Sequence, residues 1–160
     1  MAASNIKLSL CIDDESFQYL IITNFFDGST TNLHSTVLVN QNEGSIADLV
    51  PFQFLESSGG RDLSHFRIEN RDFLVVCNAQ EIKNGQFSGK FTVNSTIFEY
   101  DKINNRFQVF QTIETMSCLD VEFFEFGIEK FLVFVNHFDE DKPSGKDGKG
   151  QYDVDLLVFF

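Results

Sequence analysis

An all-β fold is what this sequence predicts, from three observations. Twenty of the 160 residues are Phe, Trp is absent and Pro occurs twice, a balance that favours strands filled by an aromatic with no polar group. Apolar and polar residues alternate over short runs such as HFRIE (65–69), RFQVFQTIE (106–114) and VEFFEF (121–126), which is the period of a half-buried strand. Turn-forming clusters separate the runs: SSGG (57–60), NRD (70–72), DKINN (101–105) and the longer DEDKPSGKDGKG (139–150).

In chain order, an apolar stretch around Leu10 is followed by YLIITNFF (19–26) and STVLV (35–39). QNEGSIADLV (41–50) carries enough helical spacing for one turn, and PFQFLESS (51–58) returns to strand character. After the Gly-Gly turn the series is HFRIE, FLVVCNAQ (73–80), STIFEY (95–100) and RFQVFQTIET (106–115), then VEFFEF, FLVFVNHF (131–138) and DVDLLVFF (153–160).

FLVVCNAQ and FLVFVNHF nearly repeat one another, each opening on Phe-Leu-Val and reaching Asn at the sixth position. Placing Asn78 over Asn136, an offset of 58 residues, also superposes Phe66 on Phe124 and Phe73 on Phe131. Asn24 takes the same role in a first, divergent unit, which needs two additional residues between Leu10 and Asn24. The chain therefore divides into units at 6–60, 61–118 and 119–160, four strands in each complete unit and no fourth strand in the last. A small antiparallel sheet cannot bury both faces alone, so four-stranded sheets repeated at this spacing predict β-propeller-type blades, two complete and one partial.

The run QTIETMSCLDVEFFEFGIEKFLVFVNHFD (111–139) resembles the epilepsy-associated repeat, also called the EAR or EPTP repeat. Asp120, Glu122 and Phe124 match its first strand, and Phe131, Leu132 and Asn136 its second; Cys118 stands where a small residue is usual, and Cys77, Val135 and Thr23 replace the Ala before Asn. The resemblance implies seven-bladed, secreted or cell-surface modules that bind other proteins, as the leucine-rich glioma-inactivated proteins bind inactive metalloprotease-like receptors. It implies no enzyme activity, and it makes a cell-surface receptor or adhesion protein the expected partner. Three units do not close a propeller ring. The chain is expected to be a fragment of a larger protein, or else to self-associate through open blade edges such as DLLVFF (155–160).

Other features narrow the function. A net charge of −12 argues against binding nucleic acid or anionic lipid. MAASNIKLSLCIDDE lacks the basic and apolar regions of a signal peptide, and no stretch approaches a membrane span. Cys11, Cys77 and Cys118 have no C-x-x-C spacing; they are expected as buried free thiols, with a bridge open to any pair that meets in an oxidising compartment. His34, His65 and His137 form no H-E-x-x-H or H-x-x-x-H arrangement, so no catalytic residue is assigned.

In a four-strand blade the loops after the second strand share one face with the connections between blades. That face carries 25–34, 79–92 and 137–152, with 57–61 and 115–119 between units, and long loops on a rigid scaffold are where recognition is usual. Phe25, Gln80, Glu81, His137 and Phe138 are the candidate partner-binding residues. Asn24, Asn78 and Asn136 are expected to hydrogen-bond backbone where their strands end. Asp139, Asp141 and Asp147 are candidate calcium ligands, although Pro143 breaks their alternation and no Glu closes the loop at the EF-hand distance. No other cofactor is expected, and a cation-dependent or hydrolytic propeller using 139–147 is the alternative function. Asp62 and Asp120 are weaker cation candidates that also suit turn capping. Asn94-Ser95-Thr96 is a glycosylation tripeptide if the chain is secreted.

Overall fold

The computed structural model describes residues 18–40, 49–87, 91–137 and 153–159. Alternating apolar residues make strands throughout, and no helix occurs among the described residues, so none is long and apolar enough to cross a membrane. The first sheet is β1 (Gln18–Ile22), β2 (His34–Asn40) and β3 (Leu49–Glu56), in that order. The second is β4 (Gly60–Ile68), β5 (Arg71–Asn78), β8 (Thr92–Asp101) and β9 (Arg106–Met116). A short ribbon, β6 (Ile82–Lys83) and β7 (Gln86–Phe87), rises from its middle connection. The third is β10 (Cys118–Phe126), β11 (Glu129–Asn136) and β12 (Asp153–Phe159). Among the described residues all pairings are antiparallel and no sheet closes on itself. These are propeller-type blades in an incomplete propeller. The stretch around Leu10 and residues 41–48 of the expected helical turn lie outside the described residues, while 49–50 already belong to β3.

The 58-residue repeat is reproduced in register. Phe66 pairs with Phe73 and Phe124 with Phe131, and a bulge falls at Arg61 in β4 and at Leu119 in β10. Sheets stack with two apolar layers between them. Tyr19, Ile21, Val37, Val39 and Leu55 of the first sheet meet Leu63, Leu74, Val76, Phe98 and Phe107 of the second. The opposite face of the second sheet offers Phe66, Phe73, Val75, Cys77, Ile97 and Ile113 to Cys118, Val121, Leu132 and Phe134 of the third. Because both faces of β5 are covered, FLVVC is buried at every position, which explains a strand with no polar alternation.

Specific bonds lock the layers. Gln53 of β3 reaches the outer strand of the next sheet, its Nε2 donating to the Phe107 carbonyl at 2.8 Å while Oε1 accepts from the Phe107 N–H at 2.8 Å. Asp62 accepts the Val121 N–H at 3.1 Å, so this buried acid fastens β10 to β4. Cys77 and Cys118 are joined by a disulfide with Cα atoms 5.5 Å apart. This is the bridge that the sequence left open: stacking two sheets brings together cysteines 41 residues apart. Cys11 lies outside the described residues.

Candidate recognition face

Strand register sets which loops share an end of the stack. His34 pairs with Glu56, Gly60 with Asn78, Thr92 with Met116 and Cys118 with Asn136. Segments 23–33, 57–59, 79–87 and Ser117 therefore emerge together, and the tight turns at 69–70, 102–105 and 127–128 lie at the other end.

The repeated asparagines tie each strand end to its surroundings. Asn78 Oδ1 accepts the Ser58 N–H at 3.0 Å from the connection after the first sheet, and Nδ2 donates to the Asn94 carbonyl at 2.8 Å. Asn136 Oδ1 accepts the Met116 N–H at 3.1 Å, the same link one unit later. Asn24 Nδ2 donates to the His34 carbonyl at 2.7 Å. Each side chain thus satisfies backbone groups that the sheet ladders leave over, which is the structural role expected of them. Ala79 and His137 repeat the pattern through backbone: Ala79 N–H donates to Gly59 O at 3.0 Å, and His137 N–H to Ser117 O at 3.2 Å. Gly59 and Ser117, equivalent residues, both have left-handed backbone, with φ of 60° and 47°.

Gly59 is the floor of a contact cluster. A Cβ there would come within 3.0 Å of the Gln80 carbonyl and 3.4 Å of the Phe25 ring, so only Gly lets those two segments close over the turn. The Arg61 guanidinium lies over the Phe25 ring, 4.8 Å from its centroid, and Arg61 Nε is buried without a hydrogen-bond partner. Phe25 and Gln80 are therefore brought together from the expected residues, and Arg61 joins them unanticipated. The bulge turns it toward a ring 36 positions away in sequence, and its one local signal was being the charge in 57–61.

Within the 79–92 connection, residues 82–87 form a hairpin rather than a plain loop. Asn84-Gly85, both at positive φ, makes the tight hairpin between β6 and β7, and this Asn-Gly pair was the signal available in the sequence. The hairpin is bonded to the first unit's loop: Ile82 N–H donates to Thr31 Oγ1 at 2.6 Å, and Gly85 N–H to the Ser29 carbonyl at 2.6 Å. Asp27 shapes that loop by accepting the Ser29 and Thr30 N–H groups, which hold its carboxyl below the usual range.

Glu81 pairs with Lys83 at 2.5 Å and stands on the wall of a groove of about 340 Å³ between the first and second sheets. Asn32, Ser57, Ser58, Asn94 and Thr96 line it too, so the groove is polar. His137 follows the last residue of β11, its N–H shared between the Met116 and Ser117 carbonyls. Phe138, Asp139, Asp141 and Asp147 lie outside the described residues. Among the described residues no group of three or more His, Cys, Asp or Glu side chains is gathered as a metal site.

One charge cluster around a buried carboxylate sits nearer the opposite end. Asp72 is 1 % exposed and takes a two-pronged bond from Arg67, Nε to Oδ1 and Nη2 to Oδ2, each 3.0 Å. His65 Nε2 is 3.4 Å from Asp72 Oδ1, close enough for attraction but not a formed hydrogen bond. Burial holds the His65 pKa below 6.5, against the opposing pull of Asp72. The group fastens β4 to β5.

A family model described as the EPTP domain matches residues 48–101 and 106–146. The human protein called thrombospondin-type laminin G domain and EAR repeat-containing protein is 32% identical over 123 residues, which are 77% of this chain and 18% of that protein. Its Mus musculus namesake is 31% identical over 110 residues, 69% of this chain and 14% of that protein. The chain spans less than a fifth of the length of these curated relatives.

Proposed function

This chain belongs to the EPTP, or EAR, repeat family, and from that premise we propose that it is a non-catalytic protein-recognition module of a larger extracellular or cell-surface protein. The observation that carries the reading is the Cys77–Cys118 disulfide between two stacked sheets, because such bonds persist in oxidising compartments and are rare in the cytosol. Recognition falls to the loop face, where Phe25, Arg61 and Gln80 form an aromatic and cationic patch on a backbone fixed by Gly59. Arg is enriched among the anchors of protein interfaces, and a ring beneath it attracts the guanidinium. The complementary partner is a cell-surface receptor or adhesion protein presenting carboxylates to Arg61.

The test is binding of the purified chain to intact cells. Phe25→Ala, Arg61→Ala and Gln80→Ala should each weaken binding about tenfold or more, as truncation of an interface anchor does. Lys102→Ala and Ile103→Ala, in the turn at the other end, should leave it unchanged. The reverse pattern would overturn the reading.

A further inference from the structure

Asn94-Ser95-Thr96 lies on β8 rather than in a loop, at the end of the strand where the ladder to β5 has stopped. β5 pairs with β8 over Phe73–Val76 and Thr96–Glu99, so residues 92–95 are laddered to β9 alone, with Asn94 opposite Glu114. Ser95 is buried, its hydroxyl accepting the Asn78 N–H at 3.1 Å and bonded to Thr115 Oγ1 at 2.8 Å. Fixing the middle residue inward turns its neighbours to the opposite face, because side chains alternate along a strand. Asn94 is exposed there, and both Asn94 and Thr96 line the polar groove beside Ser57, Ser58 and Glu81. A groove lined by Asn32, Ser58, Asn94 and Thr96 suits a sugar ring, whose hydroxyls can bond such polar groups, better than an apolar side chain.

We propose that Asn94 carries an N-linked glycan whose first sugar lies in this groove, leaving the Phe25, Arg61 and Gln80 patch for a protein partner. The inference rests on the extracellular reading. Its test is expression of the full chain through the secretory pathway of eukaryotic cells behind an added signal peptide, followed by peptide mapping under non-reducing conditions. The expected result is a hexosamine-bearing peptide at Asn94, lost in Asn94→Gln and Thr96→Val and kept in Thr96→Ser, together with slower amide exchange across 56–58 than in Asn94→Gln. A secreted chain with Cys77 joined to Cys118 but Asn94 unmodified would overturn the glycan and leave the recognition reading standing. A chain that is not secreted, or whose Cys77 and Cys118 are free thiols, would overturn both. A glycan present without the change in exchange would overturn its seating in the groove.

Discussion

The β4–β5 hairpin and the β10–β11 hairpin share their register and the position of their bulge, yet one is core and the other is half surface. Phe66 and Phe73 stack at 5.3 Å, and Phe123 of the following sheet covers Phe66 at 4.5 Å. The equivalent Phe124 and Phe131 stack at 5.0 Å, and no ring of a following sheet covers them among the described residues, leaving Phe124 43% exposed against 3% for Phe66. Sequence pattern thus sets a hairpin's internal geometry, while burial is conferred by the sheet that follows it. In the layered stack an aromatic pair is stabilising in proportion to what lies on top of it.

The largest test of this contrast is a pair of truncations. Phe66→Ala should cost about 3–5 kcal/mol in urea unfolding, the range for emptying a buried aromatic site, whereas Phe124→Ala should cost about 1 kcal/mol because its ring is half in water already. In a longer chain supplying a further sheet, the Phe124→Ala cost should climb toward that of Phe66→Ala. Equal costs in the present chain would show that the third sheet's open face is already covered, by a second copy for instance.

Second in size is the disulfide, which joins the covered hairpin to the one above it. Replacing Cys77 and Cys118 together by Ala should lower stability by about 2–4 kcal/mol, the usual range for a bridge closing a loop of this kind. Reductant should bring the parent chain to the same unfolding midpoint as the double variant. A parent insensitive to reductant would mean the two thiols are not bridged in solution.

Much of the contrast was legible beforehand, for physical reasons that stop at the edge of one sheet. Phe66, Phe73 and Asn78 could be matched to Phe124, Phe131 and Asn136 because strand pairing is local and a period of two leaves a visible trace. What local pattern cannot carry is contact between sheets. Cys77 meets Cys118, Arg61 meets Phe25 and Asp62 meets Val121 only after stacking, and each pair is tens of residues apart. Phe25 and Gln80 could be picked as loop-face residues from topology, yet their shared turn depends on the positive φ of Gly59. Arg61 was passed over because a lone charge in a short connection has no pattern of its own.

Charge pairs sharpen the comparison at a smaller scale. Arg67 opposite Asp72 becomes Glu125 opposite Lys130 in the next unit, the same cross-strand position with the signs reversed. Asp72 is buried and Glu125 is half exposed, so solvent decides their worth. Arg67→Ala should cost about 1.5–3 kcal/mol by stranding a buried carboxylate that had two charged hydrogen bonds. Glu125→Ala should cost about 0–1 kcal/mol, as exposed pairs do. Comparable losses would mean that the third sheet is as dry as the second.

The smallest expected effect is a pH dependence that only the covered hairpin has, since His65 corresponds to Phe123 in the next unit. Burial disfavours the His65 imidazolium, and the attraction of Asp72 offsets this only in part, so its folded pKa lies below 6.5. As pH falls below about 6.5 the unfolded chain takes up a proton that the folded chain refuses, and stability declines until the folded pKa is passed. Above that window the residue contributes no slope. His65→Phe, which installs the aromatic of the equivalent position, should therefore flatten the difference between unfolding midpoints at pH 7 and pH 5 without moving the pH 7 value downward by more than the exchange of one buried ring for another. If the parent chain instead gained stability on acidification, Asp72 would be holding a charged His65, and the 3.4 Å gap between them would be closing in solution into a true ion pair.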